Sequence, residues 1–248
     1  VSDELIKRFE DLRERCERSC SVTNSLFLSP AEQYALEKWA ERAADCNVVL
    51  RGGVEGTERN AAFFLPFYME EEDFDESEYI RCVRVSAGFG QPGHRDYMGA
   101  VLGLGIKREW LGDIMVEGGE AHIFCLQSVA EHLLASLDKV GRYGVKTKEI
   151  PLRDAPKPRF EIKEVTFSLM SLRLDAVAAG MFNLSRTTAA AMVSAGEVSL
   201  NYSECLRPDE KIKPGDIISV RGHGKARLAS IGGQSRKGRT FVTAEVRK

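Results

Sequence analysis

Residues 93–113, GHRDYMGAVLGLGIKREWLGD, gather side chains that a catalytic or phosphate-binding loop would need. His94, Arg95 and Asp96 spell the triplet of kinase catalytic loops, whose Asp takes the substrate proton. That chemistry also needs a downstream Asn, a DFG segment, a glycine-rich loop and a strand Lys. None accompanies the triplet, and Asp73-Phe74-Asp75 lies upstream in an acidic run. Gly103 and Gly105 make no dinucleotide cradle, because that fingerprint opens a helix and these glycines close one. They are expected to stop and pack the helix. At the helix start, Asp96 suits the dipole and Arg95 lies where a phosphate could bind. A cap with an internal Arg95–Asp96 pair explains the same residues. Lys107 and Arg108 are expected in an exposed turn after the helix, as further contacts for an anion.

The six cysteines form no CxxC pair, and the four histidines are scattered. Cys16 and Cys20 sit one helical turn apart, but no second pair follows at zinc spacing. Reduced, mostly buried thiols and no metal are expected. No run of about 18 apolar residues occurs, so no membrane-spanning helix is expected. The start, VSDELIKRFEDLRERC, is charged rather than a signal peptide, and with no initiating Met a trimmed or incomplete N-terminus is expected. The net charge of −2 hides an asymmetry. Residues 172–248 carry 13 Lys and Arg against 7 Asp and Glu, a net of +6, while the remainder carries 22 against 30, a net of −8. A basic module on an acidic body calls for an anionic partner.

The elements that must position these groups follow from pattern. Residues 1–76 read as an α/β part with two helices and two strands. In SPAEQYALEKWAERAAD, Ser29 is the N-cap, Pro30 opens the helix and Glu32 completes a capping box. NVVLRGG and AAFFLPFYM read as strands, and the acidic run at 70–78 as a solvated linker. Residues 77–158 give strand, helix, strand, strand, helix, strand, with Gly118-Gly119 as a two-residue hairpin turn and Ser128 as cap of the second helix. That order is the ferredoxin-like (RRM-like) βαββαβ plait, so the class is α+β. Its central strands offer Phe124 without a second aromatic, which makes base stacking on the sheet doubtful. RDAPKPRFE is a proline-marked linker and EIKEVTFSL a strand leading to the third domain, residues 171–248.

In the third domain RLDAVAAGMF and RTTAAAMVSAG read as short helices. Asn183 ends the first, Ser185 caps the second, Gly196 stops it, and EVSLNY follows as a strand. Arg186, beside the cap, lies where a helix N-terminus also attracts phosphate. In VRGHGKARL, residues Arg221, His223, Lys225 and Arg227 alternate, so an extended segment would point all four to one face. Such a stripe suits a phosphate backbone. A charged edge strand is the other explanation. Arg236, Lys237 and Arg239 could lengthen it.

Arg173-Leu174-Asp175, Ser185-Arg186, the Ala-rich helix, Gly196-Glu197-Val198 leading to Asn201, and IKPGDIISV at 212–220 resemble the alpha-L RNA-binding module named after small-subunit ribosomal protein S-four. The resemblance implies that Arg173, Asp175, Ser185, Arg186, Thr187 and Asn201 lie on a face toward structured RNA. With HRDY, GLGIKRE and GDI in the plait, the whole chain resembles the bacterial YlmH family. That resemblance implies a cytoplasmic, monomeric protein that binds ribosomal RNA and peptidyl-tRNA on the large ribosomal subunit and supports quality control of stalled nascent chains. It implies no catalytic residue, no cofactor, no small-molecule substrate and no membrane. Rival readings are a pseudouridine-synthase-like or other RNA-modifying protein, a non-ribosomal structured-RNA binder, and a protein whose basic tail meets an acidic protein.

Overall fold

The computed structural model describes residues 3–43, 46–158 and 162–247. The expected C-terminal end of the second helix at residues 44 and 45, the end of the proline-marked linker and the first residue of the strand after it lie outside the described residues. The chain is α+β and divides into two compact units, residues 1–158 and 159–248. Among the described residues no helix is long and apolar enough to cross a membrane.

The first unit opens with α1 (Asp3–Ser19), β1 (Thr23–Leu28), α2 (Pro30–Ala40), β2 (Val48–Arg51) and β3 (Asn60–Phe64). The capping box forms as its residues predict: Ser29 accepts from Glu32 N–H, and Glu32 accepts from Ser29 N–H at 2.7 Å. β1 is a strand the sequence pattern did not announce. It joins an antiparallel sheet of order β1-β3-β2. Phe9, Leu12 and Cys16 line one side of α1 and bury against Leu28, Ala62 and Phe64. The other side of the sheet packs Phe27, Val49 and Phe63 against Ile80 and Leu126. The acidic run is not a free linker. Phe74 stacks on Phe63 at 4.8 Å, Glu71 pairs with Arg51, and Glu76 accepts from Gly53 N–H at 2.9 Å.

The plait follows as β4 (Ile80–Ala87), α3 (His94–Gly103), β5 (Leu111–Glu117), β6 (Glu120–Leu126), α4 (Gln127–Ser136), β7 (Lys139–Val140) and β8 (Tyr143–Ile150). Its order, β5-β6-β4-β8-β7, is the ferredoxin-like pairing with one short edge strand added. Glu117 pairs with Glu120 across Gly118 and Gly119, whose φ of +60° and +84° only glycine adopts without strain. α3 and α4 cover one sheet face, burying Val83, Val85, Tyr97, Ile123 and Leu133. Each such side chain contributes about 1.5–3 kcal/mol on removal from water. Ser128 does not cap α4; Leu126 holds that position, without a side-chain bond, and Ser128 lies inside the first turn.

The second unit contains β9 (Ile162–Leu169), α5 (Leu174–Phe182), α6 (Arg186–Ser194), β10 (Val198–Leu200), β11 (Ser203–Glu204), β12 (Ile217–Val220), β13 (Gly224–Gln234) and β14 (Thr240–Arg247). They form an antiparallel sheet of order β11-β10-β12-β13-β14-β9. α5 ends at Asn183 in the left-handed conformation, and Ser185 caps α6 through Thr188 N–H at 3.0 Å. Leu174, Val177, Met181, Ala189 and Val193 from the two helices meet Val198, Ile218, Leu228 and Val242 from the sheet. Gly180 allows the closest approach: a Cβ there would lie 2.2 Å from the Phe167 ring.

Candidate nucleic-acid interface

The site with the most definite construction sits where α5 and α6 begin. Asp175 lies in the first turn of α5, with its side chain 5% exposed. One carboxylate oxygen accepts from Arg173 Nε at 3.1 Å and from Ala176 N–H at 2.8 Å. The other accepts from Arg173 Nη2 at 3.3 Å and from Arg186 Nε at 3.2 Å. Burial alone would raise this carboxyl's pKa. The hydrogen bonds from both arginines outweigh it and hold the group below the usual carboxylate range. The arginines themselves stay accessible, at 39% and 57% exposure. A guanidinium has five N–H donors. Arg173 gives two to Asp175 and Arg186 one, so both keep donors for an anionic ligand. The buried carboxylate therefore fixes two exposed cations side by side.

Neighbours enlarge this patch. Arg186 is the first residue of α6, and Thr187 beside it is exposed. Lys211, which sequence reasoning missed, bridges Arg173 in antiparallel fashion and is exposed. No spacing signal could have found it, since the pairing joins distant segments. Ser185 spends its hydroxyl on Thr188. Asn201 directs its amide toward Asp216 and Ile217. It forms a two-residue turn with Tyr202, both at positive φ, donates to Asp216 and accepts from Ile217 N–H.

The expected four-residue stripe is also corrected. Arg221 and His223 lie in the turn between β12 and β13, where Gly222 and Gly224 adopt φ of +79° and +103°. Only Lys225 and Arg227 alternate on a strand. They point away from the buried Ala226 and Leu228, hence away from α5 and α6. The amine of Lys225 lies over the Tyr202 ring at 5.3 Å. Arg239 turns back to the Ser168 carbonyl and hydroxyl, while Arg236 and Lys237 stay exposed at the hairpin tip. The structure thus brings Arg173, Arg186, Thr187 and Lys211 together and separates them from Lys225 and Arg227 by the thickness of the sheet.

In the plait, Asp96 accepts from Gly93 N–H at 2.8 Å and caps α3. No Arg95–Asp96 ion pair forms among the described residues, and Arg95 and His94 are exposed. Lys107 is exposed, as its position predicts. Arg108 is not: its Nη1 donates to the carbonyls of Leu111 at 2.8 Å and Gly112 at 2.9 Å. These carbonyls sit where the β5–β6 register shifts, and the side chain satisfies them. Burial, with Arg59 nearby, lowers the Arg108 pKa to about 10. Asp113 accepts from the N–H groups of Glu58 and Arg59. A Cβ on Gly112 would lie 2.8 Å from the Phe27 ring. The GIKREWLGD stretch therefore fastens the plait to the first sheet. Phe124 is fully buried beneath Ala155, Val54 and Leu152 and offers no stacking surface.

Among the described residues no three His, Cys, Asp or Glu are grouped to hold a metal.

Comparison with known proteins agrees with this architecture. Residues 70–154 match the family described as "Putative RNA-binding domain in YlmH". A curated relative, ribosome-associated protein quality control protein P2 of Bacillus subtilis (strain 168), is 32% identical over 222 residues, covering 90% of this chain and 86% of its own. Among solved structures, cell division protein ylmH from Streptococcus pneumoniae aligns with a TM-score of 0.54 at 22% identity, over 62% of this chain and 95% of that one. The last similarity bears on the fold alone.

Proposed function

This chain belongs to the YlmH family, and on that premise we propose that it is a non-catalytic RNA-binding protein of the ribosome. It associates with the large subunit, contacts ribosomal RNA and peptidyl-tRNA, and supports the quality control of stalled nascent chains. The relative's name supplies the ribosomal setting. The observation that carries RNA contact is the pair of exposed guanidinium groups held by one buried carboxylate. A surface arginine without such a partner moves freely and gains little by pairing. Two arginines fixed on a rigid helix pair can grip folded RNA phosphates with less ordering cost.

In this proposal the chain works as a monomer in the cytoplasm, in three parts: residues 1–76, 77–158 and the S-four-like 171–248. Arg173, Arg186, Thr187 and Lys211 meet RNA directly. Asp175 and Ser185 position them. Arg221 and His223 at the hairpin turn, and Arg95 and Lys107 on the plait, are secondary contacts. Lys225 and Arg227 belong to a different face and take no part in this contact.

Sedimentation with purified ribosomal subunits tests it. The chain is expected to pellet with large subunits carrying P-site tRNA in preference to small subunits. Equal pelleting with both, or with neither, would overturn the ribosomal assignment. Mass spectrometry of unmodified ribosomal RNA after incubation should find no altered base; turnover that depends on one Asp would make the chain an enzyme.

A further inference from the structure

The plait keeps a second, differently built surface. α3 and α4 cover the sheet face that carries Val83 and Val85. On the opposite face, directly paired residues share a side. Arg84 lies across from Lys148, Ser86 from Lys146, and Gly144 from Lys139. Arg84, Lys139, Lys146 and Lys148 therefore project from one half of the open face. None of the four forms an ion pair among the described residues, and the three lysines are exposed. Arg84 is half-buried, and its Nε is shielded from water with no acceptor. The acidic groups on this face, Glu117 and Glu120, lie toward the other edge at the β5–β6 turn, and Glu120 accepts from Ser86 at 2.7 Å.

This end of the sheet is also bare. A Cβ on Gly88 or Gly144 would meet nothing within 4 Å. Immediately after Gly88, Phe89 is 76% exposed. It stands edge-on to Tyr143 at 6.1 Å, and the Arg142 guanidinium lies over the Tyr143 ring at 5.2 Å. A large apolar ring held in water by a second ring and a guanidinium offers a face on which a nucleobase can stack.

We propose that the open face of the plait binds single-stranded RNA, with Lys146, Lys148, Lys139 and Arg84 following the phosphates and Phe89, held against Tyr143 on the helix-covered side of the same sheet end, stacking one base where the RNA passes over that end. Successive lysines on β8 stand about 6.8 Å apart along the strand, so a polyanion crossing the sheet can meet both. Phe124, on the covered part of the same face, takes no part. Binding is accordingly led by backbone charge and tolerant of sequence. The proposal rests on RNA being the ligand of this chain, and it adds to the proposed ribosomal site a second surface of different construction.

The test uses the full chain and a short fluorescein-labelled oligouridylate, titrated over a range of salt. Loss of two phosphate contacts in Lys146→Ala with Lys148→Ala should lower the log–log salt slope by about 1.4 and weaken binding roughly tenfold at physiological salt. Phe89→Ala should weaken binding about tenfold with the slope unchanged. Lys146→Arg with Lys148→Arg should bind as wild type. Because both lysines are exposed, melting should not move. Unchanged slope and affinity in the Ala pair would overturn the proposal, as would displacement by polyglutamate as effective as displacement by unlabelled RNA. A parallel arm carries Arg173→Ala, Arg186→Ala and Asp175→Asn. If that arm alone loses both oligonucleotide and large subunits, the plait proposal falls and the ribosomal site stands. If the lysine variant alone loses the oligonucleotide and the arginine variant still pellets with large subunits, the assignments reverse.

Discussion

Replacing Arg173 and Arg186 together by Ala does more than remove two cations. Their partner Asp175 has a side chain only 5% exposed, and three of its four hydrogen bonds come from these arginines. The double variant strands a buried carboxylate that keeps only the Ala176 N–H bond. An unpaired buried charge costs about 3–5 kcal/mol where water cannot follow. Here the arginines are themselves partly exposed, so truncation admits water, and about 2 kcal/mol is expected. For a unit of this size that lowers its melting temperature by roughly 8–16 °C. The sign of the pH dependence should also change. In the wild type the Asp175 pKa is depressed, so its contribution is present above the unfolded value of 3.8 and is lost as pH falls through the folded value. In the double variant burial is opposed only by the Ala176 N–H bond and pushes the carboxyl up, so relative stability should rise on acidification toward pH 4. Adding Asp175→Asn should restore most of the lost stability but none of the RNA binding. Calorimetry of the full chain across pH, beside subunit pelleting, measures both. A double variant that melts like wild type, or a triple variant that stays destabilised, would refute the buried-carboxylate argument.

Other perturbations follow from the same geometry. Gly180→Ala drives a methyl into the Phe167 ring and should cost about 1–3 kcal/mol, read as a lowered denaturant midpoint. Arg108→Ala leaves the Gly112 carbonyl without its side-chain donor and the Leu111 carbonyl with Arg59 Nε alone, and should destabilise the first unit by about 1–3 kcal/mol; its RNA affinity should not change, which separates it from Lys107→Ala. Among the thiols, exposed Cys20 should react first with a maleimide, while burial pushes Cys82 up to about 12 and raises Cys125 as well, so both should stay unlabelled until the unit unfolds.

Much of the local structure was legible because short-range chemistry decides it. The Ser29–Glu32 box, the Gly118-Gly119 turn, the Asn183 stop and the Ser185 cap each depend on neighbours within a few residues. β1 escaped because TNSLFL is short and carries no clear alternation; its partner β3 makes it a strand. The acidic run escaped because its charges hide Phe74, which the first sheet recruits. The site was legible as far as Arg173 and Arg186. That Asp175 is the buried hub between them required two helix starts to meet in space. The alternation of Arg221, His223, Lys225 and Arg227 misled because Gly222 before the strand and Gly224 at its first position, both at positive φ, turn the chain. Arg108 misled because a cation after a helix reads as exposed, while the irregular start of β5 demanded a donor.

The most direct measurement is a cryo-EM map of native large subunits captured with this chain. The account predicts density for Arg173 and Arg186 against phosphates of ribosomal RNA or P-site tRNA, with Asp175 behind them. A map in which the start of α5 and α6 faces solvent, or in which no ribosomal particle is captured, would contradict it.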